Sequence, residues 1–431
     1  MKRISFYTFG CRLNQSETAS IENSFKQGGY DVVGFDQPSD IVVINTCTVT
    51  EGGDADTRHL VHKVSRRNPQ ARIALVGCQA QIQKERLASL PNVRWIVGNA
   101  RKMDLVAVFN EFPESHQAQV VTPVIGREPF SLPVPSIDFD HTRANIKIQD
   151  GCDFFCSFCE IPYARGRARS RIFEDILTES RALVAAGHKE LILTGINIGT
   201  YAYADKTLKD VINALNALEG LERIRISSIE PTTISKDIFE KRQEGKLCRY
   251  LHIPLQSGDD EILGEMKRKY TVAAFSDFVR AVAATVPQIC IGTDVIVGFP
   301  GETQTHFDRT VDTLRELPIH YFHVFSYSPR HMAKSRLLET MPPQVIAERS
   351  QILRELSLRK RRVFHESLLG TTQRVLFEHP KGDGWQNGLT DNYVRVKVKS
   401  ERNLFNQMLP VLLQAIEGPC VLGELSKKGT H

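Results

Sequence analysis

The most constraining feature of this 431-residue chain is a repeat in its central part, where short apolar segments alternate with helical patterns. Six such segments recur from about residue 145 to residue 327, among them ELILTGINIG, RIRISSIEP and TDVIVGFPGE. Alternating strands and helices form parallel sheets, so this region predicts an α/β fold that closes as a partial (β/α)6 barrel. Active sites of such folds lie at the carboxyl ends of the strands.

A three-cysteine run follows the first strand of this repeat, in the sequence QDGCDFFCSFCEIP. Cys152, Cys156 and Cys159 stand as C-x-x-x-C-x-x-C at the predicted mouth of the barrel. Three thiolates suit a [4Fe–4S] cluster with one iron left open for a cofactor, whereas a structural zinc ion takes four ligands. A zinc site with a remote fourth ligand and buried cysteines at chance spacing are the alternatives.

The first hundred residues predict a separate parallel α/β sheet. Its strands ISFYTFGC, DIVVINTC and RIALVGC end at Cys11, Cys47 and Cys78. Because the carboxyl ends of parallel strands share one edge of the sheet, these thiols should converge there. We therefore predict a second iron–sulfur cluster, with simple burial of small side chains as the alternative.

No signal peptide and no run of 18 apolar residues is evident, which predicts a cytoplasmic protein without a membrane partner. Thiols stay reduced in that compartment, so nine cysteines indicate metal binding and burial rather than disulfides. Cys248, Cys290 and Cys420 follow no pattern and are interpreted as packing residues.

The C-terminal part carries the whole positive charge excess, since residues 351–431 contain 13 Lys or Arg and 8 Asp or Glu in a chain of net charge +5. Short alternating strands there (TQRVLFEH, NYVRVKVK and CVLGEL), separated by turns such as KGDGWQNG, predict a small all-β barrel. Arg395, Lys397 and Lys399 alternate with valines and should form a basic face that suits RNA. An inert capping domain is the alternative.

Four arginines alternate directly after the central cysteine run, in IPYARGRARSR. An extended segment would place Arg165, Arg167, Arg169 and Arg171 on one face, where Arg165 and Arg167 could bind RNA phosphate or a carboxylate. A solvated charged strand is the alternative.

These patterns divide the chain into three domains with one linker. We expect an N-terminal α/β domain over residues 1–115, a linker over 116–142, the partial barrel over 143–366 and the β-barrel over 367–431.

In this order, the three modules resemble the methylthiotransferases of the radical S-adenosylmethionine (SAM) superfamily. The segments YTFGCRLNQSET, VVINTCTVT, HIPLQSGDDEILGEMKRKYT and DVIVGFPGET are most similar to the branch acting on threonylcarbamoyladenosine in tRNA. Glu160, directly after Cys159, departs from the apolar or small residue that is commoner there.

The resemblance implies two [4Fe–4S] clusters and SAM as cofactors, with SAM bound at the open iron of the Cys152, Cys156 and Cys159 cluster. It implies radical removal of hydrogen from C2 of an adenine and transfer of a methylated sulfur from the cluster at Cys11, Cys47 and Cys78. It further points to a TRAM-like C-terminal barrel, to tRNA as partner and to an electron donor such as flavodoxin or ferredoxin. The SAM contacts that it implies are Gly195, Gln256, Val297 and Phe325.

Three other functions are left open by these patterns. Two keep the chemistry but change the substrate, to isopentenyladenosine in tRNA or to an aspartate of a ribosomal protein. The third is a non-enzymatic iron–sulfur protein that binds RNA. The methylthio transfer implied by the resemblance requires no direct general acid or base, and none is predicted.

Overall fold

The computed structural model describes residues 1–132, 142–235, 237–240, 245–380, 382 and 384–426. Its N-terminal domain has six strands and five helices. The strands are β1 Arg3–Thr8, β2 Asp31–Val32, β3 Ile41–Thr46, β4 Arg72–Gly77, β5 Val93–Val97 and β6 Gln119–Val121; the helices are α1 Arg12–Gln27, α2 Glu51–Arg67, α3 Cys78–Ile82, α4 Lys84–Ala88 and α5 Leu105–Glu111. All strand pairs are parallel, in the order β2-β1-β3-β4-β5-β6.

The central strands of the N-terminal sheet carry apolar side chains on both faces, and both faces are buried. In β3, Ile41 and Val43 belong to one hydrophobic core, and Val42 and Ile44 belong to the other. This run of consecutive apolar residues is typical of a parallel sheet covered by helices on both faces. The sheet includes β6, so it extends past the predicted boundary at residue 115. Residues 133–141 of the predicted linker lie outside the described residues.

The central domain contains the six strands that the repeat predicted, with shorter strands and helices between them. The strands are β7 Arg143–Lys147, β8 Gln149–Asp150, β9 Arg169–Ser170, β10 Glu190–Thr194, β11 Ala202–Tyr203, β12 Lys206–Thr207, β13 Arg223–Ile226, β14 Tyr250–His252, β15 Cys290–Val297 and β16 Tyr321–Ser326. The helices are α6 Ile161–Arg165, α7 Phe173–Ala185, α8 Leu208–Asn216, α9 Asp237–Glu240, α10 Asp260–Glu265, α11 Val272–Thr285, α12 Gln304–Glu316 and α13 Pro343–Glu366.

Six of these strands form two parallel three-stranded sheets, in the orders β13-β10-β7 and β14-β15-β16. A single parallel bridge between Ile224 and Leu247 connects the two sheets. Residues of both sheets share one hydrophobic core, which includes Ile146, Leu251 and Val295. The carboxyl ends of the six strands therefore share one rim, as the repeat predicted.

The C-terminal domain is a closed barrel of five strands. These are β17 Thr372–Phe377, β18 Trp385–Thr390, β19 Arg395–Lys399, β20 Met408–Glu417 and β21 Cys420–Leu425. The barrel order is β17-β18-β19-β21-β20. The alternation in β19 is confirmed, because Val396 and Val398 are buried whereas Arg395 and Lys399 are exposed. Two strands were missed in the sequence: β18, most of which was interpreted as a turn, and β20.

Within the described part of the chain, no helix combines the length and the apolar character needed to cross a membrane.

Candidate cluster sites and adjoining cavities

The three N-terminal cysteines follow three adjacent strands of the first sheet. Cys11 precedes the first residue of α1, Cys47 follows β3 and Cys78 begins α3. Because β1, β3 and β4 are neighbours, the three thiols lie at one edge and are close enough to interact electrostatically. The structure thus brings together the residues that the sequence placed at equivalent strand ends.

Buried amide side chains hold these cysteine loops in place. The Asn14 amide donates to the carbonyl of Phe9 at 2.8 Å and to that of Thr46 at 3.1 Å, so it connects the loops before Cys11 and Cys47. Asn99 donates to the carbonyl of Ala164 at 2.7 Å and lies 3.6 Å from Cys78 Sγ. Neither asparagine was singled out in the sequence, although Asn14 lies in the quoted motif YTFGCRLNQSET.

Gly10 has to be glycine at this edge. Its φ of +91° lies in the left-handed region, and a Cβ atom added there would be 2.7 Å from Cys47 Sγ. A side chain at residue 10 would therefore displace Cys47.

A buried charge network lies beside the N-terminal cysteines and joins the first two domains. Glu17 binds Lys102 Nζ at 2.5 Å, Lys147 Nζ at 2.7 Å and Arg165 at 3.0 Å. Asp150 binds Lys147 Nζ at 2.6 Å and Arg165 at 3.0 Å. Two carboxylates thus face three fully buried or nearly buried cations, which leaves an excess of positive charge at the cysteines.

This excess charge suits anionic sulfur ligands. Burial raises the pKa of Cys47 to about 12, although the Arg165 charge acts in the opposite direction. A free thiol here keeps its proton, whereas a bound metal centre displaces it. Thiolates formed in that way would balance the buried cations, so the residues present fit an iron–sulfur cluster.

The central cysteines lie on the loop between β8 and α6, at the rim of the partial barrel. Ser157 anchors the loop through its hydroxyl to the Glu265 carbonyl at 2.7 Å and through its amide to the Met266 carbonyl at 3.0 Å. Arg268 Nη1 donates to Cys156 Sγ at 3.1 Å, and the amide of Phe154 lies 3.5 Å from Cys152 Sγ. Donors aimed at sulfur stabilise thiolate ligands, so this loop also fits a cluster.

Arg268 is a functional candidate that the sequence analysis missed. Besides Cys156, it pairs with Glu230, which follows β13, and stacks on Tyr270 with its Cζ 4.9 Å from the ring centre. It lies in the quoted segment HIPLQSGDDEILGEMKRKYT, where its contact with a distant cysteine could not be read from spacing.

Glu160 connects the two cysteine sites, which explains the charge beside Cys159. The buried carboxylate accepts hydrogen bonds from Thr48, the residue after Cys47, and from Arg330 Nε at 3.0 Å. Arg330 also binds Asp54 of α2 at 2.6 Å. The charge thus belongs to a network between domains.

Two cavities adjoin the cysteine sites. A cavity of about 690 Å³ is lined by residues of all three domains, including Cys11, Gly195 and Arg395. A cavity of about 190 Å³ contacts Cys159 and Gln256. Phe325 lines both cavities. The two cavities therefore adjoin at the Phe325 side chain.

The four expected SAM contacts differ in position. Gly195 lines the larger cavity, Gln256 lines the smaller one and Phe325 lines both. Val297 lines neither of these cavities, because its side chain is buried in the barrel core and its carbonyl accepts from the Tyr327 amide at 2.8 Å. The expected contact between Val297 and SAM therefore stays a prediction.

The arginine run does not form one extended face. Arg165 ends α6 and is fully buried in the Glu17 network, so it cannot contact RNA phosphate as expected. Arg171 is buried too, with Asp175 and Glu179 as partners. Arg167 remains partly exposed and pairs with Asp153 at 3.0 Å. The short helix α6 breaks the alternation that the sequence suggested.

Comparisons with known proteins match both α/β domains and most of the chain. Residues 146–314 match the Radical SAM superfamily, and residues 3–98 match Uncharacterized protein family UPF0004. The chain is 38% identical to threonylcarbamoyladenosine tRNA methylthiotransferase MtaB of Aquifex aeolicus, over 92% of this chain and 96% of the relative. The MtaB of Bacillus subtilis is 35% identical, over 95% and 93%.

A relative named for another substrate is also similar. The tRNA-2-methylthio-N(6)-dimethylallyladenosine synthase of Protochlamydia amoebophila is 30% identical, over 99% of this chain and 96% of the relative. Among solved structures, the radical SAM methyltransferase TsrM of Kitasatospora setae has a TM-score of 0.57 at 14% identity, covering 76% of this chain and 75% of that one. At that identity the similarity concerns the fold alone.

Proposed function

Because this chain belongs to the radical SAM methylthiotransferase family and is therefore an enzyme, we propose that it modifies N6-threonylcarbamoyladenosine at position 37 of tRNA. The product is the 2-methylthio derivative. One observation carries the proposal: two cysteine triads, both suited to clusters, lie beside adjoining cavities at the junction of three domains. The names of the relatives support the choice of base.

Membership of the radical SAM superfamily implies SAM and a [4Fe–4S] cluster as cofactors. Cys152, Cys156 and Cys159 would hold this cluster. When bound, the two cofactors supply the one-electron chemistry that removes hydrogen from an unactivated carbon. Arg268 steadies Cys156 by donating to its sulfur, and Gln256 and Phe325 are in position to contact SAM from the smaller cavity.

A second cluster at Cys11, Cys47 and Cys78 would present the sulfur. Burial raises the pKa of both Cys11 and Cys47, and the charge of Arg165 in the Glu17 network partly opposes this rise. Asn14 and Asn99 hold in place the loops that carry these thiols. Cys11 lines the larger cavity, which would admit the target base.

The C-terminal barrel supports tRNA as the partner. Arg395 and Lys399 are exposed on one face of β19, and Arg395 lines the rim of the larger cavity. RNA phosphates bound to this face would lie next to the site at which the base enters. A barrel that docks a ribosomal protein would instead present an acidic or apolar face.

The test is mass spectrometry of tRNA nucleosides from cells with and without the gene. We expect selective loss of 2-methylthio-threonylcarbamoyladenosine and no change in its isopentenyl counterpart. Loss of the isopentenyl derivative instead would indicate that this chain acts on the base for which the Protochlamydia relative is named. If neither nucleoside changes, tRNA is not the substrate and the ribosomal-protein alternative has to be tested.

A further inference from the structure

The larger cavity carries cationic side chains and, among its described lining residues, no Asp or Glu. Its arginines are Arg12, Arg361 and Arg395. Burial lowers the pKa of His320 and of His365, each to about 4, so these two histidines are neutral near pH 7. Burial also lowers the pKa of His323, and His252 pairs with the Asp294 carboxylate at 3.0 Å. The three arginines are the permanently charged groups among the described lining residues, and an anionic ligand is the one that this charge would attract.

Arg361 is the arginine of this cavity that lies among its tyrosine and histidine side chains. It is half-buried on α13, and its Cζ lies 5.1 Å from the ring centre of Tyr321. It is near enough to His323, His365 and Cys290 to influence their ionisation, so its charge faces the cavity interior. No carboxylate among the described residues pairs with it. Its neighbour Arg362, by contrast, is exposed and binds Glu366 at 2.9 Å.

An aromatic wall connects Arg361 to the N-terminal cysteine site. The hydroxyls of Tyr321 and Tyr250 lie 2.7 Å apart, and the rings of Tyr250 and Tyr393 are separated by 4.5 Å. The hydroxyl of Tyr393 accepts from Arg12, which directly follows Cys11. A flat base could pack along these rings with one edge towards Cys11 and a polar substituent towards Arg361.

We propose that Arg361 binds an oxyanion of the substrate and that this oxyanion is the carboxylate on the N6 substituent of the target adenine. The inference rests on the proposed function, since a threonylcarbamoyl group carries a carboxylate and an isopentenyl group does not. A guanidinium fork matches a carboxylate with two parallel hydrogen bonds. Arg361 is thereby a specificity-determining residue that distinguishes an anionic from an apolar N6 substituent.

A backbone phosphate is the other oxyanion in a tRNA that Arg361 could bind. The test therefore uses two RNA substrates that differ in the carboxylate of the N6 substituent and share the same phosphates. Two anticodon stem-loop RNAs would be compared, one with threonylcarbamoyladenosine and one with its methyl ester, which carries no charge on the N6 substituent. The wild-type enzyme should methylthiolate the acid at least about tenfold faster than the ester, from the usual strength of a charged hydrogen bond.

Arg361→Gln should slow conversion of the acid by a similar factor and leave conversion of the ester nearly unchanged, so that discrimination is lost. Arg361→Lys should retain part of the discrimination between the acid and the ester. Arg362→Gln, one residue away on the exposed side of α13, is the matched control and should behave as wild type. Iron content and SAM cleavage without RNA should be equal in all four proteins.

If Arg361→Gln slows conversion of the acid and the ester equally, the residue binds a phosphate and the proposal is overturned. The proposal is also overturned if Arg361→Gln discriminates between acid and ester as well as the wild type does. A wild-type enzyme that converts neither RNA but does convert an isopentenyl RNA would refute the proposed function instead. The two failures are therefore distinguishable.

Discussion

At the scale of single residues, Glu160 shows how one buried carboxylate organises two sites. It follows Cys159 directly and accepts from Thr48, which follows Cys47 directly. Its charge is balanced by Arg330, with Asp54 as the second acid of the group. Removing one member of a buried charge network leaves its partner incompletely paired, which costs more than the loss of an exposed ion pair.

Glu160→Gln should therefore lower the free energy of unfolding by about 1–3 kcal/mol, because the neutral amide binds the Arg330 guanidinium more weakly. Urea denaturation followed by circular dichroism measures this change. Glu366→Gln, which removes an exposed partner of Arg362, is the control and should shift stability by less than about 0.5 kcal/mol. Equal effects of the two substitutions would show that the Glu160 network adds nothing beyond a surface ion pair.

Single residues also show which contacts could not be predicted from the sequence. The six cysteines could be grouped because spacing and strand ends are local patterns. Arg165 was expected to contact RNA because every second residue of its segment is Arg, yet it is buried against Glu17, 148 residues earlier in the chain. Contacts between residues far apart in the chain leave no periodic pattern in the sequence, and Arg268 beside Cys156 was missed for the same reason.

At the scale of elements, three neighbouring strand ends determine the first cysteine site. The spacing of Cys11, Cys47 and Cys78 in the chain is large, but β1, β3 and β4 are adjacent in the sheet. The central site depends on one loop and on Arg268 instead. The two sites are therefore built mainly by different elements, and replacing a cysteine of one site should leave the cysteines of the other in place.

Cys47→Ala should reduce the iron content by roughly half, from about eight to about four atoms per chain for two [4Fe–4S] clusters. SAM cleavage under strong reductant should persist, whereas methylthio transfer should be lost. Iron analysis and chromatography of 5′-deoxyadenosine measure the two quantities. A folded Cys47→Ala protein that no longer cleaves SAM would contradict this division between the sites.

Some strands were predicted from the sequence, and others were missed. Strongly apolar strands such as β3 and β4 were predicted because nearly all of their residues are buried. β18 was missed because its sequence, WQNGLT, contains Asn and Gly, which are typical of turns. Gly388 is required there by close packing, since an added Cβ would lie 2.4 Å from Val375 Cγ1.

At the scale of the whole molecule, the basic face of the barrel and the larger cavity belong to one surface. Arg395 contributes to both. Lys397 pairs with Glu417 at 3.2 Å, so Arg395 and Lys399 are the stronger candidates for phosphate contact. Reversal of all three charges should weaken tRNA binding and reduce the slope of log K against log salt by about two.

Fluorescence anisotropy of labelled tRNA at several salt concentrations measures both quantities. The control reverses three exposed charges on α2, at Arg58, Lys63 and Arg66, which changes the net charge by the same amount. This control variant should lose less affinity for tRNA than the barrel variant, and its slope of log K against log salt should be closer to that of the wild type. If the two triple variants behave alike, the barrel has no special part in tRNA binding.

The Glu17 network also has a consequence for the order in which the protein is made. Glu17 belongs to the first helix, but two of its three cations, Lys147 and Arg165, lie in the second domain. Until Lys147 and Arg165 have been synthesised, Glu17 has Lys102 as its one partner from this network. The nascent N-terminal domain therefore reaches its final packing only after residue 165 has emerged, and translation through the central cysteine loop completes the earlier domain.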